Sequence, residues 1–203
     1  MASERYACEW RNATDLYRSA LELAQTHGHD SILTVNIQRE LNYVHALLLE
    51  WDEAEKYCHD ALNILKEEQG RLGTETFNWW HTQMLEVASD THLRKGQWCV
   101  SQSKPDQALI EFRLAHRFAL EEIASLRCSF GKSGDPGLAY AHNNAGDSLW
   151  GIHECQSAQT TPPVHRPDVK ACTHWRRAWE IAVRLGIEEM AQQAVERLER
   201  HCR

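Results

Sequence analysis

At 203 residues the chain is long enough to bury a sizeable core, and one domain over residues 1–203, or one continuous stack of repeats, is the simplest organisation. A hydrophobic content of 42%, a charged content of 25% and only 10 Gly and 5 Pro exclude a disordered chain and weigh against an all-β one, which favours helix. The formal net charge of −7 excludes generic phosphate-backbone binding, which needs a dense basic face, so nucleic acid is not an expected partner.

The opening MASERYACEW has neither a basic nor an apolar signal region, and no apolar run approaches the roughly 18 to 20 residues that cross a bilayer. A cytoplasmic protein without a membrane partner is expected. Seven cysteines are scattered, odd in number and never spaced C-x-x-C; that pattern suits reduced thiols, with Cys58 and Cys172 as small core residues.

In chain order, Ser3 can cap a first helix over residues 4–26, with Tyr6, Trp10, Ala13, Tyr17, Ala20, Leu21 and Ala24 on one face. Gly28 stops it. Ser31 can cap a second helix to about residue 50, and a third runs over 52–68. Their very short connection at 50–52 forces an antiparallel hairpin.

A longer helix opens at Thr74 and reaches Cys99, weakly interrupted by Gly96. Pro105 starts the next, which stops before Gly131. Residues 129–137 form a loop, a helix covers 138–155, and the polar, proline-bearing stretch 156–168 reads as a flexible insertion. A helix to residue 185 follows, and 187–201 forms an amphipathic last helix whose wet face (Glu188, Glu189, Gln192, Gln193, Glu196, Glu199, Arg200) suits a cap.

Four of these segments can be laid on one another without a gap: residues 10–24, 51–65, 105–119 and 168–182. Each has alanine at its fourth position (Ala13, Ala54, Ala108, Ala171) and again seven residues on (Ala20, Ala61, Ala115, Ala178). Tyr17, Cys58, Phe112 or Trp175 stands between them. Alanine is needed where two helices of a hairpin approach closely, and the aromatic fills the space towards the next repeat.

The pattern Ala-x3-aromatic-x2-Ala, after a helix and a tight turn, resembles helix B of the tetratricopeptide repeat family. In that family a Leu-Gly pair in the preceding helix marks the close crossing; Asn144-Ala145-Gly146 resembles it well, Leu41-Asn42 partly, and Lys95-Gly96 keeps only the glycine. The first alanines, at 13, 54, 108 and 171, lie 41, 54 and 63 residues apart where the family period is about 34. The resemblance therefore implies an irregular, long-helix variant: an all-α fold of antiparallel hairpins stacked into a right-handed solenoid with a C-terminal capping helix.

Motifs that would carry chemistry are weak. Gly131-Lys132-Ser133 lacks the glycine of a phosphate loop where Leu126 stands, and no strand precedes it. His81 with His92, and His142 with His153, lie 11 apart and so on one helix face, but metal pairs on a helix are usually i and i+4. His27-x-His29-Asp30 suits free helix-end carbonyls better than a metal. No catalytic signature and no cofactor motif appears, so a non-catalytic protein is expected.

The resemblance implies instead a concave groove lined by the first helix of each hairpin, receiving a peptide or a partner helix. Asn36, Arg39, Tyr43, Trp80, His81, Arg94, Asn143 and Asn144 are the candidates, as amide, guanidinium and aromatic groups suited to a peptide. The expected function is a protein-interaction scaffold or adaptor. The alternatives are a secretion or assembly chaperone of the same fold, self-association through exposed aromatics, and an all-α metal-binding protein or enzyme using the helix-borne histidines.

Overall fold

The computed structural model describes residues 2–28, 30–130, 135–158 and 168–202. Among them the fold is all-α: α1 Ala2–Thr26, α2 Ser31–Leu47, α3 Trp51–Glu68, α4 Thr74–Ser101, α5 Pro105–Phe130, α6 Pro136–Ala158, α7 Val169–Leu185 and α8 Glu188–His201. No helix among the described residues is long and apolar enough to cross a membrane. The Gly131-Lys132-Ser133 loop, His29 and most of the expected insertion lie outside the described residues; Gln156 to Ala158 close α6 and Asp168 caps α7.

Several helix ends differ from expectation for local reasons. Asp30, not Ser31, caps α2, its carboxylate accepting the Ile32 N–H at 3.0 Å; a charged acceptor suits the positive helix end better than a hydroxyl. α2 stops at Leu47 because Leu49 takes a left-handed φ of 62°. α6 starts at Pro136, since Asp135 accepts the Gly137 N–H at 2.7 Å and proline has no N–H to lose in a first turn. Between α7 and α8, Gly186 adopts φ 71° and its N–H returns to the end of α7, the usual glycine stop.

The connections differ in length, that between α1 and α2 spanning residues 27–30. Residues 48–50 join α2 to α3, 102–104 join α4 to α5, and 186–187 join α7 to α8, whereas 69–73, 131–135 and 159–168 are longer.

The chain forms two compact units, Met1–Thr91 and His92–Arg203, divided inside α4. In the first, α2 packs between α1 and α3, and Leu21, Ala24, Ile37, Leu41 and Tyr57 share an apolar cluster. Hydrogen bonds reinforce it. The Asn42 amide donates to the Ala54 carbonyl at 2.7 Å and accepts from Thr91 at 3.0 Å. The Cys58 thiol donates to the Met84 carbonyl at 3.9 Å, and burial pushes its pKa up to about 12, so it is an inert core thiol.

In the second unit α5, α6, α7 and α8 pack as successive neighbours. Ala119, Ile123, Leu126, Leu138, Ala139, Ala141, Ala145, Ile181 and Ala182 form one core cluster. Of the motif alanines, Ala54, Ala61, Ala108, Ala115, Ala171 and Ala178 are 0% exposed, while Ala13 and Ala20, on α1, are only half-buried.

The rings between those alanines meet glycine. A Cβ built on Gly146 would lie 2.5 Å from the Trp175 indole, and one on Gly96 or on Gly151 would lie 2.7 Å from the Phe112 ring. Side chains do not approach so closely, so both rings seat directly on helix backbone.

One cysteine expectation is overturned. Cys172 and Cys202 form a disulfide, 30 residues apart in sequence with Cα atoms 5.9 Å apart. The two-residue α7–α8 connection turns the chain back, so the start of α7 meets the end of α8; no local spacing announces that. The other five cysteines are free.

Replacing Gly146 by Ala sets a helix-propensity gain of about 1 kcal/mol against overpacking of about 1–3 kcal/mol. Trp175 is 1% exposed and has nowhere to retreat, so overpacking wins. Urea unfolding should show a net loss of about 1–2 kcal/mol, while Gly70→Ala, with nothing within 4 Å of the new methyl, should not destabilise.

Candidate functional site

A cleft of about 360 Å³ opens in the second unit. Asp147, Trp150, Gly151 and Glu154 reach it from α6, and Gln193, Glu196, Arg197, Arg200 and His201 from α8; both sets recur three and four residues apart, one face of each helix. Gln97 of α4 lines it too. The motif rings Phe112 and Trp175 also line it, and because they are buried they form its floor.

One carboxylate ties this together. Asp147 accepts the Trp175 indole N–H at 2.8 Å and is held in a two-point pair by Arg197, Nη2 to Oδ2 at 2.6 Å and Nε to Oδ1. Arg197 also donates from Nη1 to the Gln193 carbonyl at 3.1 Å. A fork of this kind fixes orientation as well as charge, so α8 is registered against α6 through a single aspartate.

His201 lies over Trp150, ring centroids 4.2 Å apart, and 5.6 Å from Trp175. Burial, the largest influence, holds its pKa below the ordinary value, so the ring is neutral near pH 7 and extends the aromatic surface. Glu154, Glu196, Arg200 and Gln97 are exposed around it. Hydrogen-bonding groups of both signs about an aromatic platform suit the alternating donors and acceptors of a peptide backbone.

Beside the cleft's α6 wall lies a histidine cluster. The His142 and His174 Nδ1 atoms are 3.0 Å apart, and His116 meets His174 edge-on, centroids 6.0 Å apart. Arg127 Nη2 lies 3.4 Å from His142 Nε2. Arginine can only donate, so His142 Nε2 accepts and its Nδ1–H donates to His174. Burial first, then the neighbouring imidazole and Arg127, lowers His142 to about 3. Burial, His116 and Arg127 lower His174 to about 4.

The residues singled out from sequence separate into two settings. Asn36, Arg39 and Tyr43 share one face of α2, and Trp80 joins them from α4. Arg39 lies over the Trp80 ring at 5.9 Å, bonds Glu40 at 2.6 Å and reaches Gln83 at 3.5 Å. Tyr43 is 45% exposed and meets Trp10 edge-on at 6.4 Å, the Asn36 carbonyl oxygen is buried without a partner, and His81 stacks on Phe77.

In the second unit Arg94 is half-buried. Asn143 and Asn144 are 3% and 5% exposed, so they stand inside the unit rather than on a groove wall. Asn143, one turn before Asp147, keeps both polar side-chain atoms without a partner.

The histidine pairs of the sequence separate as well. His92 pairs with Glu111 at 2.7 Å; burial opposes charge on Glu111, but hydrogen bonds from His92 and Lys95 outweigh it and leave its pKa lowered. His142 meets His174, while His153 lies beside Trp150. His27 binds the Leu23 carbonyl at 3.0 Å, an ordinary helix-end contact.

Sequence reasoning missed Asp147, Trp150, Arg197 and His201. The one available signal was the polar face of the last helix, read as a cap. No family model matches the chain, and no curated protein matches it.

Acid should loosen this unit. His142 and His174 are neutral when folded but protonate near 6.5 when released. The unfolded chain therefore binds more protons between about pH 6.5 and 4, and stability falls as the pH falls through that window. The slope should be at most about 1.4 kcal/mol per pH unit for each histidine, less for His174, which is partly open to water. Urea titrations at pH 7, 6 and 5 should show it, and His174→Gln should flatten it.

Proposed function

We propose that the chain is a non-catalytic protein-interaction module, built from tetratricopeptide-like hairpins, whose second-unit cleft holds a short extended segment of a protein partner. One observation carries the reading. The polar cleft residues come from α4, α6 and α8, each next to a motif helix, while the motif rings Phe112 and Trp175 make the floor. α4 and α6 precede the motif helices α5 and α7, the place the resemblance gives to recognition, whereas α8, which the resemblance makes a cap, adds Gln193, Glu196, Arg197, Arg200 and His201.

The chemistry agrees. Trp150 and His201 offer a flat apolar surface; Gln97 and Gln193 can donate and accept, and Glu154, Glu196 and Arg200 supply charge at the rim. The volume lies near the lower end of ligand pockets, which suits an anchor of a few residues. Asp147, engaged by Trp175 and Arg197, holds the wall in place.

Glu154 and Arg200 are exposed, so Glu154→Arg and Arg200→Glu should leave the fold intact by circular dichroism. In quantitative affinity capture from the source cells, both should weaken the same partners about ten-fold or more, the scale of losing a charge-assisted contact. Arg117→Glu on α5, whose arginine is likewise exposed, should not. Retention of every partner by both cleft variants overturns the reading.

A further inference from the structure

The disulfide sits where it can control the cleft. Cys202 follows directly on His201 and Arg200, which line it, and Cys172 lies one turn before Trp175, its floor. Leu198 and Cys202 pack on the cluster of Ala171, Cys172 and Trp175. Cys172 is buried, whereas Cys202 is half-buried, so of the two Cys202 is the one more open to an incoming thiolate.

Two anchors hold α8. The first is Arg197 on Asp147, with Ala194 fully buried beside it. The second is the disulfide, at the far end. Between them the last turn carries Arg200, exposed, and His201, held by its rings against Trp150 and Trp175. Cutting the second anchor leaves α8 fixed as far as Arg197 and frees only the turn that supplies two cleft residues.

The other cysteines bear on what kind of bond this is. Five remain free, with Cys8 and Cys128 exposed. A chain that keeps exposed thiols beside a single disulfide does not follow the pattern of a disulfide-stabilised secreted domain, and in a reducing compartment such single bonds are usually transient.

We infer that Cys172–Cys202 is a redox latch: joined, it holds the last turn of α8 over the cleft, and reduced, it lets Arg200 and His201 leave. The electron donor is a thiol of the glutathione or dithiol class. Its thiolate attacks the Cys202 sulfur, forming a mixed disulfide and expelling Cys172 as a thiolate, which takes up a proton. A second thiol of the donor then displaces Cys202, so two electrons pass to the protein and the donor leaves as a disulfide. The reverse exchange with a donor disulfide closes the latch.

That the latch governs binding rests on the peptide-cleft reading; the latch itself does not. The test equilibrates the full chain in glutathione buffers of graded reduced-to-oxidised ratio. The state of each cysteine is read by alkylation and peptide mass, and the same samples are pulsed for amide hydrogen exchange. The pair should pass from joined to free within those ratios, and exchange in residues 198–202 should rise about ten-fold or more on reduction while residues 138–150 stay unchanged. Cys202→Ser should show the fast exchange at every ratio.

A pair that stays joined throughout, one that never forms, or one that opens without faster exchange in the last turn overturns the latch. Partner capture on the same samples separates the two readings. If Glu154→Arg and Arg200→Glu both leave capture unchanged while exchange still follows the redox ratio, the peptide reading fails and the latch stands.

Discussion

The rings of Phe112 and Trp175 rest on bare helix backbone, and much of the second unit follows from that seating. Phe112 of α5 lies against Gly96 of α4 and Gly151 of α6, and Trp175 of α7 lies against Gly146 of α6. Where the Cβ is missing, a helix can approach until a ring fills the gap, gaining dispersion contacts and removing a large apolar face from water. The indole so placed points its N–H at Asp147, Asp147 takes Arg197, and Arg197 sets α8. A packing event deep in the unit therefore positions charged groups at its surface.

The first unit meets the same demand with different chemistry. Cys58 occupies the place of the ring and is too small to span the gap. Asn42 instead bonds the Ala54 carbonyl and Thr91, and the Cys58 thiol turns to Met84. Fully buried His45 takes Glu50 at 2.7 Å and stacks on Tyr57. Pairing offsets the cost of burying these polar atoms, so around Cys58 and His45 directional bonds take the place that ring-on-glycine packing holds in the second unit.

What the sequence revealed and what it hid divide along the range of the interactions. Helix existence, the breaks at Gly28, Pro105 and Gly186, and the buried alanines of the second, third and fourth motifs are local or periodic features, and they could be read. Asp30 was overlooked because capping depends on which of two adjacent polar residues turns inward, and Asp135 because the glycines and proline around it read as loop. Arg39 and Trp80 could be put on one list and do meet. Asn143 could not be placed, because four residues separate a buried position from the cleft wall at Asp147. The His142–His174 contact, the Asp147–Arg197 pair and the disulfide span 32, 50 and 30 residues; each exists only after the helices have packed.

The shortness of some connections has a bearing on how such a chain can change. Two or three residues between closely packed partners leave no slack, so a deletion or an added residue at 48–50, 102–104 or 186–187 would rotate one helix against the next and lift its buried alanines out of register. The longer stretch at 69–73 carries less of that constraint, since loop closure grows costly only slowly with length.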